Sequence, residues 1–124
     1  MSGHEQTIRR YWQCAEERDW SGFAEVLSPD VVYDMSQTRE RVIGRDAYVR
    51  FNQEYPGDWH LALRRVVADD RGATSWLDVT VGGETMTGIT FFTFDDDGLV
   101  TAVDDFWPEP YDPPAGRPQV VERY

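Results

Sequence analysis

Residues 73–107 read ATSWLDVTVGGETMTGITFFTFDDDGLVTAVDDFW. Apolar and β-branched residues recur at every second position, and the run is cut by Gly82-Gly83 and by Asp95-Asp96-Asp97-Gly98. A period of two is the signature of extended chain with one face covered, and the interruptions are turn chemistry. The same period starts earlier, so the sequence predicts four long strands over 59–68, 73–81, 84–94 and 98–107, joined as an antiparallel meander.

Upstream the period is helical. Ile8, Tyr11, Trp12 and Ala15 mark a helix over residues 5–18, with Ser2-x-x-Glu5 as a possible capping box. Asp19 caps a second short helix with the stripe Trp20, Phe23, Ala24 and Leu27, closed by Pro29-Asp30. Val31–Met35 reads as a strand. Gly44 precedes a third helix carrying Ala47, Tyr48 and Phe51, which stops before Pro56-Gly57. Helices first and a twisted meander afterwards predict an α+β domain, the helices covering one face of a curved antiparallel sheet. One domain is expected over 1–124. Its core spans 5–110, and an extended tail over 108–124, with five of the seven prolines, is expected along the body.

Composition narrows the chemistry. The net charge of −11 argues against nucleic acid and anionic membrane surfaces. No apolar run reaches membrane length, and Met1-Ser2-Gly3-His4-Glu5 lacks the features of a secretory leader. A single cysteine, Cys14, fits a reducing cytoplasm, which is the expected location. All twelve basic residues are arginine, which removes Schiff-base and lysine-base chemistry. Two histidines and one cysteine are too few for a zinc-type cluster, and the 95–98 stretch reads as a solvated turn, so neither metal nor cofactor is expected.

The meander ends on Asp104-Asp105-Phe106-Trp107, and alternation sends its two carboxylates to opposite faces. The inward one must be paired, protonated or used.

The order of elements and several local matches resemble the nuclear transport factor 2-like superfamily over about residues 5–110. Tyr11 followed by Asp19, then Asp30-Val31-Val32-Tyr33 and Gly44-Arg45-Asp46-Ala47, is similar to ketosteroid isomerase. Gly98-Leu99-Val100-Thr101 leading to Asp105-Phe106 resembles limonene epoxide hydrolase, and Trp107-Pro108-Glu109-Pro110-Tyr111 resembles the tail of bacterial SnoaL-like (polyketide cyclase-like) proteins. The resemblance implies a cone-shaped fold with three helices on a curved sheet.

Carried over residue by residue, the isomerase's oxyanion-donating tyrosine matches Tyr11. Its general base falls on Met35, which cannot take a proton, and its donating aspartate falls on Thr90. The hydrolase's two aspartates match Asp78 and Asp105, while its arginine falls on Trp76; Arg65 on the neighbouring strand is a conceivable substitute. The cyclases' acid/base aspartate falls on Pro108. Asp78 depends on the turn: a plain two-residue turn at Gly82-Gly83 pairs it with Thr87 on the face opposite Thr90, whereas a bulge reverses this. The superfamily's register points Val103, Asp105 and Trp107 inward and Asp104 and Phe106 outward.

The expected catalytic residues are therefore Asp105, Tyr11 and Asp78. The expected pocket lining is Tyr33, Met35, His60, Trp76, Thr90, Phe92 and Trp107, with His60 as a possible proton shuttle. A small, mostly apolar oxygenated ligand suits such a site. The implied function is cofactor-free acid/base chemistry (isomerisation, cyclisation, dehydration or epoxide opening); the alternative is a non-catalytic ligand-binding or accessory protein. Asp105 equally suits a structural network with Tyr11, Tyr33 or His60. Asp34 is expected to face solvent or pair with Arg41. Ile89, Phe91 and Phe106 on the outer face predict a two-fold homodimer with sheets back to back, Asp104 meeting Arg64.

Overall fold

A computed structural model of the protein describes residues 3–124, so Ser2 and its capping box lie outside the described residues. Three helices, α1 (Gly3–Glu17), α2 (Trp20–Glu25) and α3 (Arg45–Gln53), alternate with six strands. The strands are β1 (Leu27–Met35), β2 (Glu40–Ile43), β3 (Trp59–Ala68), β4 (Gly72–Val81), β5 (Glu84–Phe94) and β6 (Val100–Phe106). The sheet order is β2-β1-β6-β5-β4-β3. The meander is antiparallel as its period demands, but β1 runs parallel to β6, so the six-stranded sheet is mixed rather than antiparallel throughout.

α2 is capped by the Asp19 side chain, which accepts from the Gly22 amide at 3.0 Å. The helix ends earlier than the stripe implies, and Leu27 opens β1 instead of closing α2. Pro29 lies where the β1–β6 register shifts between Leu27 and Val32, a position that needs no ladder N–H. Strand β2 has no alternating apolar signal, being an edge strand of mostly exposed residues, and sequence periodicity misses it.

Gly82 and Gly83 have φ of 57° and 96°, the pair of positive values a tight two-residue hairpin turn requires. The hairpin has no bulge: Val81 pairs with Glu84, Asp78 with Thr87 and Ser75 with Thr90. This register fixes the two faces of the sheet. Tyr33, Leu77, Val79, Thr90, Phe92, Val103 and Asp105 are buried against the helices. Trp76, Asp78, Phe91, Asp104 and Phe106 alternate to the outer face. β3 shifts register between Leu63 and Arg65, so Arg64 and Arg65 are both exposed.

Helix α1 packs on β3 and β4, α3 packs on β1 and β2, and α2 bridges the two helices. The core between them is aromatic: Tyr11 lies 4.7 Å from Phe23 and 5.0 Å from Phe92, ring centre to ring centre. Beyond Trp107 the tail forms no strand or helix and its residues are exposed, apart from half-buried Pro113, so it buries little against the body.

Candidate functional site around Asp105

Strand β6 delivers Asp105 to the inner face beside β1 and β5, the strands that flank it. Its carboxylate accepts three side-chain hydrogen bonds, with the Phe106 backbone N–H as a weaker fourth donor. Tyr33 of β1 donates its hydroxyl to Oδ2 at 2.7 Å, and the Trp107 indole N–H donates to the same oxygen at 3.1 Å. Thr90 of β5 donates to Oδ1 at 2.8 Å. None of the three donors carries a charge. Burial pushes the Asp105 carboxyl above the usual aspartate range, and the bonds from Tyr33, Thr90 and Trp107 pull it only part of the way back.

Tyr11 does not reach this carboxylate. Its hydroxyl is in a short hydrogen bond with the Tyr48 hydroxyl of α3, fully inside the core. The Tyr48 ring stacks on the Tyr33 ring with 4.9 Å between centres. The four groups thus form a layered set, Tyr11 with Tyr48 and Tyr33 with Asp105. Burial, the largest cause in each case, holds all three tyrosine hydroxyls above their ordinary values, so each stays a neutral donor. Tyr48 enters the sequence reading only as a member of a helix stripe. The signal was present in its type, since a buried tyrosine needs a partner for its hydroxyl.

The remaining candidates divide by face. Met35 is partly buried against the core, and Phe92 is buried beside Tyr11. The register corrects two assignments, because Asp78 and Trp76 lie on the outer face, away from Asp105. Arg64 stacks over the Trp76 ring at 4.2 Å and stands 3.7 Å from the Asp78 carboxylate. Arg64 therefore meets Asp78 within the chain rather than Asp104, and exposed Arg65 makes no ion pair among the described residues.

His60 is corrected as well. It lies on edge strand β3, three strands from β6, with its ring exposed between Glu16 at 3.0 Å and Asp58 at 3.1 Å. The hydrogen bond that its ring donates to the Glu16 carboxylate raises its pKa, which suits an ion-paired fastener of α1 to β3. Cys14 belongs to the core cluster, and burial raises its thiol pKa, making it a poor nucleophile. Asp34 pairs with Arg41 at 2.7 Å, as its position suggested. Among the described residues no group of three or more His, Cys, Asp or Glu is placed to hold a metal ion. No described helix is long and apolar enough to cross a membrane.

One further residue escapes sequence reading. Gln37, in the β1–β2 turn, donates its side-chain amide to the Trp107 carbonyl at 3.1 Å and accepts from the Trp107 backbone N–H.

The SnoaL-like domain model matches residues 8–103, the stretch that runs from within α1 to within β6 and contains the layered tyrosines but stops short of Asp105. The chain belongs to the SnoaL-like domain family. A crystal structure from Kribbella flavida, provisionally assigned as a ketosteroid isomerase, is 45% identical to it, covering 98% of this chain and 89% of that one with a TM-score of 0.93. A nuclear transport factor 2-like protein of unknown function from Burkholderia xenovorans shares the fold at 19% identity, over 98% and 94% of the two chains, with a TM-score of 0.83. A Shewanella denitrificans protein, provisionally assigned as a SnoaL-like polyketide cyclase, does so at 15% identity, over 85% and 90%, with a TM-score of 0.74. No curated protein matches this SnoaL-like chain. The fold is thus that of the nuclear transport factor 2-like proteins, as the sequence predicts.

Proposed function

We propose that this SnoaL-like protein is a cofactor-free acid/base catalyst on a small, mostly apolar molecule bearing a carbonyl or hydroxyl oxygen, with Asp105 as the proton-exchanging group. The observation that carries the reading is a buried carboxylate with three neutral donors and no arginine among its partners. With no cation beside it, burial outweighs the bonds that favour its ionised form, so it exchanges a proton at higher pH than an ordinary aspartate does. The ionised carboxylate would take a proton from a substrate carbon next to a carbonyl and return it to another position of the same molecule. While Asp105 holds the proton, its O–H donates to Tyr33 or Thr90, and the released hydroxyl proton turns toward the developing oxygen anion.

This set differs from that of ketosteroid isomerase. The base position holds Met35, and Thr90 serves Asp105 instead of the substrate. The Kribbella protein's provisional assignment nevertheless makes proton transfer next to a carbonyl the reaction class to test first. The direct experiment follows exchange of α-protons for deuterons by NMR, with a panel of aromatic and β,γ-unsaturated ketones in D2O. Exchange above buffer is expected, with Asp105→Asn reducing it by roughly 10²–10⁴-fold, the usual worth of a positioned base. Exchange that survives Asp105→Asn, or none with any ketone, overturns the reading.

A second reading, a binding or accessory protein without turnover, is favoured by the three side-chain donors already held by the Asp105 carboxylate and by the Tyr11–Tyr48 pair, which engages the Tyr11 hydroxyl inside the core. Binding of a ketone with no exchange would support it.

We also propose a two-fold homodimer through the outer sheet face. Ile89, Phe91, Phe106, Pro108 and Gln37 line an open depression of about 440 Å³ there, and Phe91 is 49% exposed. A second copy laying the same face on it removes that apolar surface from water. Sedimentation equilibrium at micromolar concentration should give a species of twice 14.3 kDa; a single species at 14.3 kDa overturns the pairing.

A further inference from the structure

From Val32 onward strand β1 pairs with β6 at a constant offset: Tyr33 faces Val103 and Asp34 faces Asp104. Continued at that offset, the residue opposite Trp107 is Gln37, but the chain has already turned toward β2. The Gln37 side chain makes up the missing rung. Its amide is both donor and acceptor to the Trp107 main chain, the two-bond exchange of an antiparallel pair rather than the slanted pattern of the parallel ladder it extends. This clamp holds Trp107 just past the end of β6, where its indole donates to Asp105.

The far side of the indole is fixed by an absence. Gly88 of β5 is buried beneath it, and a Cβ built there would lie 3.4 Å and 3.5 Å from two indole carbons, with the third 3.7 Å away. A methyl group would just touch, and anything larger would push the ring off. Tyr33 and Thr90, the other two donors to Asp105, are buried, whereas Trp107 is partly exposed. The indole is therefore the one partner of the carboxylate that lies between it and water.

We infer that Trp107 is a removable cover on Asp105, seated on Gly88 and held by Gln37, so that Gln37 is a positioning residue acting on the carboxylate through Trp107. This rests on the acid/base role of Asp105 for its meaning, though not for its test. A ligand gains access when the indole swings from Gly88, and the hydrogen bond it gives up is taken by the ligand or by water. The groups facing Asp105 are Tyr33 of β1, Thr90 of β5 and Trp107, with Tyr48 of α3 and Tyr11 of α1 behind them. All are neutral, so the state of the cover is the principal variable acting on the carboxyl.

The test needs no substrate. The Trp107 indole N–H resonance and the Asp105 carboxyl titration are followed by NMR in the whole protein. The variants are Gln37→Ala, Gln37→Glu, Gly88→Val, Trp107→Ala and the double variant Gln37→Ala/Trp107→Ala. Gln37 is exposed and valine suits a strand, so folded protein is expected. Gln37→Ala and Gly88→Val should each shift the indole signal toward that of free indole and lower the Asp105 titration midpoint, because water reaches the carboxylate. Gln37→Glu, which keeps the acceptor and loses the donor, should fall between. In the Trp107→Ala background, Gln37→Ala should add nothing. An indole signal and midpoint unmoved by both single variants overturn the inference. So does a Gln37→Ala shift that persists without Trp107. Absence of ketone exchange in the wild type would count against the acid/base reading alone and leave these shifts standing.

Discussion

Asp105 and Asp78 stand two strands apart in one sheet and both match aspartates of the same hydrolase pattern, yet they live in different media. Asp105 is buried among neutral hydroxyl and indole donors, with its pKa raised by burial. Asp78 is on the outer face, partly exposed, with Arg64 at 3.7 Å. What separates them is parity alone. Thr90 sits opposite both Asp105 and Ser75, so the inner face of β4 carries Ser75, Leu77 and Val79, and Asp78 falls between them. A match of residue type to a family motif is therefore half of an assignment; the turn that sets the register is the other half.

The comparison of faces breaks most visibly under core truncation. Phe92→Ala, on the inner face between Tyr11 and Trp12, should cost about 3–5 kcal/mol of unfolding free energy in a denaturant titration. Phe91→Ala, one residue away on the outer face, should cost about 1 kcal/mol or less when the chain is dilute. Equal losses would mean that the two faces are not distinguished as described.

A smaller effect sharpens the account of the carboxylate. Tyr33→Phe removes the donor that most lowers the Asp105 pKa, so the carboxyl should titrate still higher, with a stability loss of about 1–3 kcal/mol at neutral pH. A midpoint that falls instead would mean that the tyrosine serves mainly to exclude water.

Much of this was legible beforehand, and the reasons for the exceptions are physical. The meander declared itself because β3, β4 and β5 are long and covered on one face, which forces alternation. Strand β2 did not, since an edge of four residues with little burial carries no such pattern. Asp105 was found because an acidic pair ending an apolar strand must send one member inward. Tyr48 and Gln37 were missed because their roles rest on contacts 37 and 70 residues distant, which no local period encodes. Trp76 misled because it occupies the place of the hydrolase's site arginine, whereas here it is 37% exposed beneath an arginine on the outer face.

The pH dependence of stability tests the burial claim in another way. A carboxyl with its folded pKa above the unfolded one binds its proton more tightly when folded. Its contribution is full below the unfolded value, near 3.8, and is lost as pH rises through the folded value. His60, also raised, loses its contribution above its ordinary 6.5, so both groups act in the same direction as pH rises. Asp105→Asn removes only the first loss. The wild-type-minus-variant difference in unfolding free energy should decline as pH rises above 3.8, and a flat difference would argue that Asp105 titrates normally.

The smallest expected effect is at Asp78. Asp78→Asn breaks a long, partly exposed ion pair and should change stability by no more than about 0.5 kcal/mol, without altering any ketone exchange. A large loss of exchange would return Asp78 to the site and undo the register argument.

The most direct measurement is a carbon-13 NMR titration of the aspartate carboxyls in the wild-type protein, with Asp105 assigned by its loss in Asp105→Asn. The account predicts a midpoint for Asp105 clearly above the ordinary aspartate value of 3.8. An Asp105 midpoint at or below that value would contradict the central claim that burial, uncompensated by any cation, holds this carboxyl ready to exchange a proton.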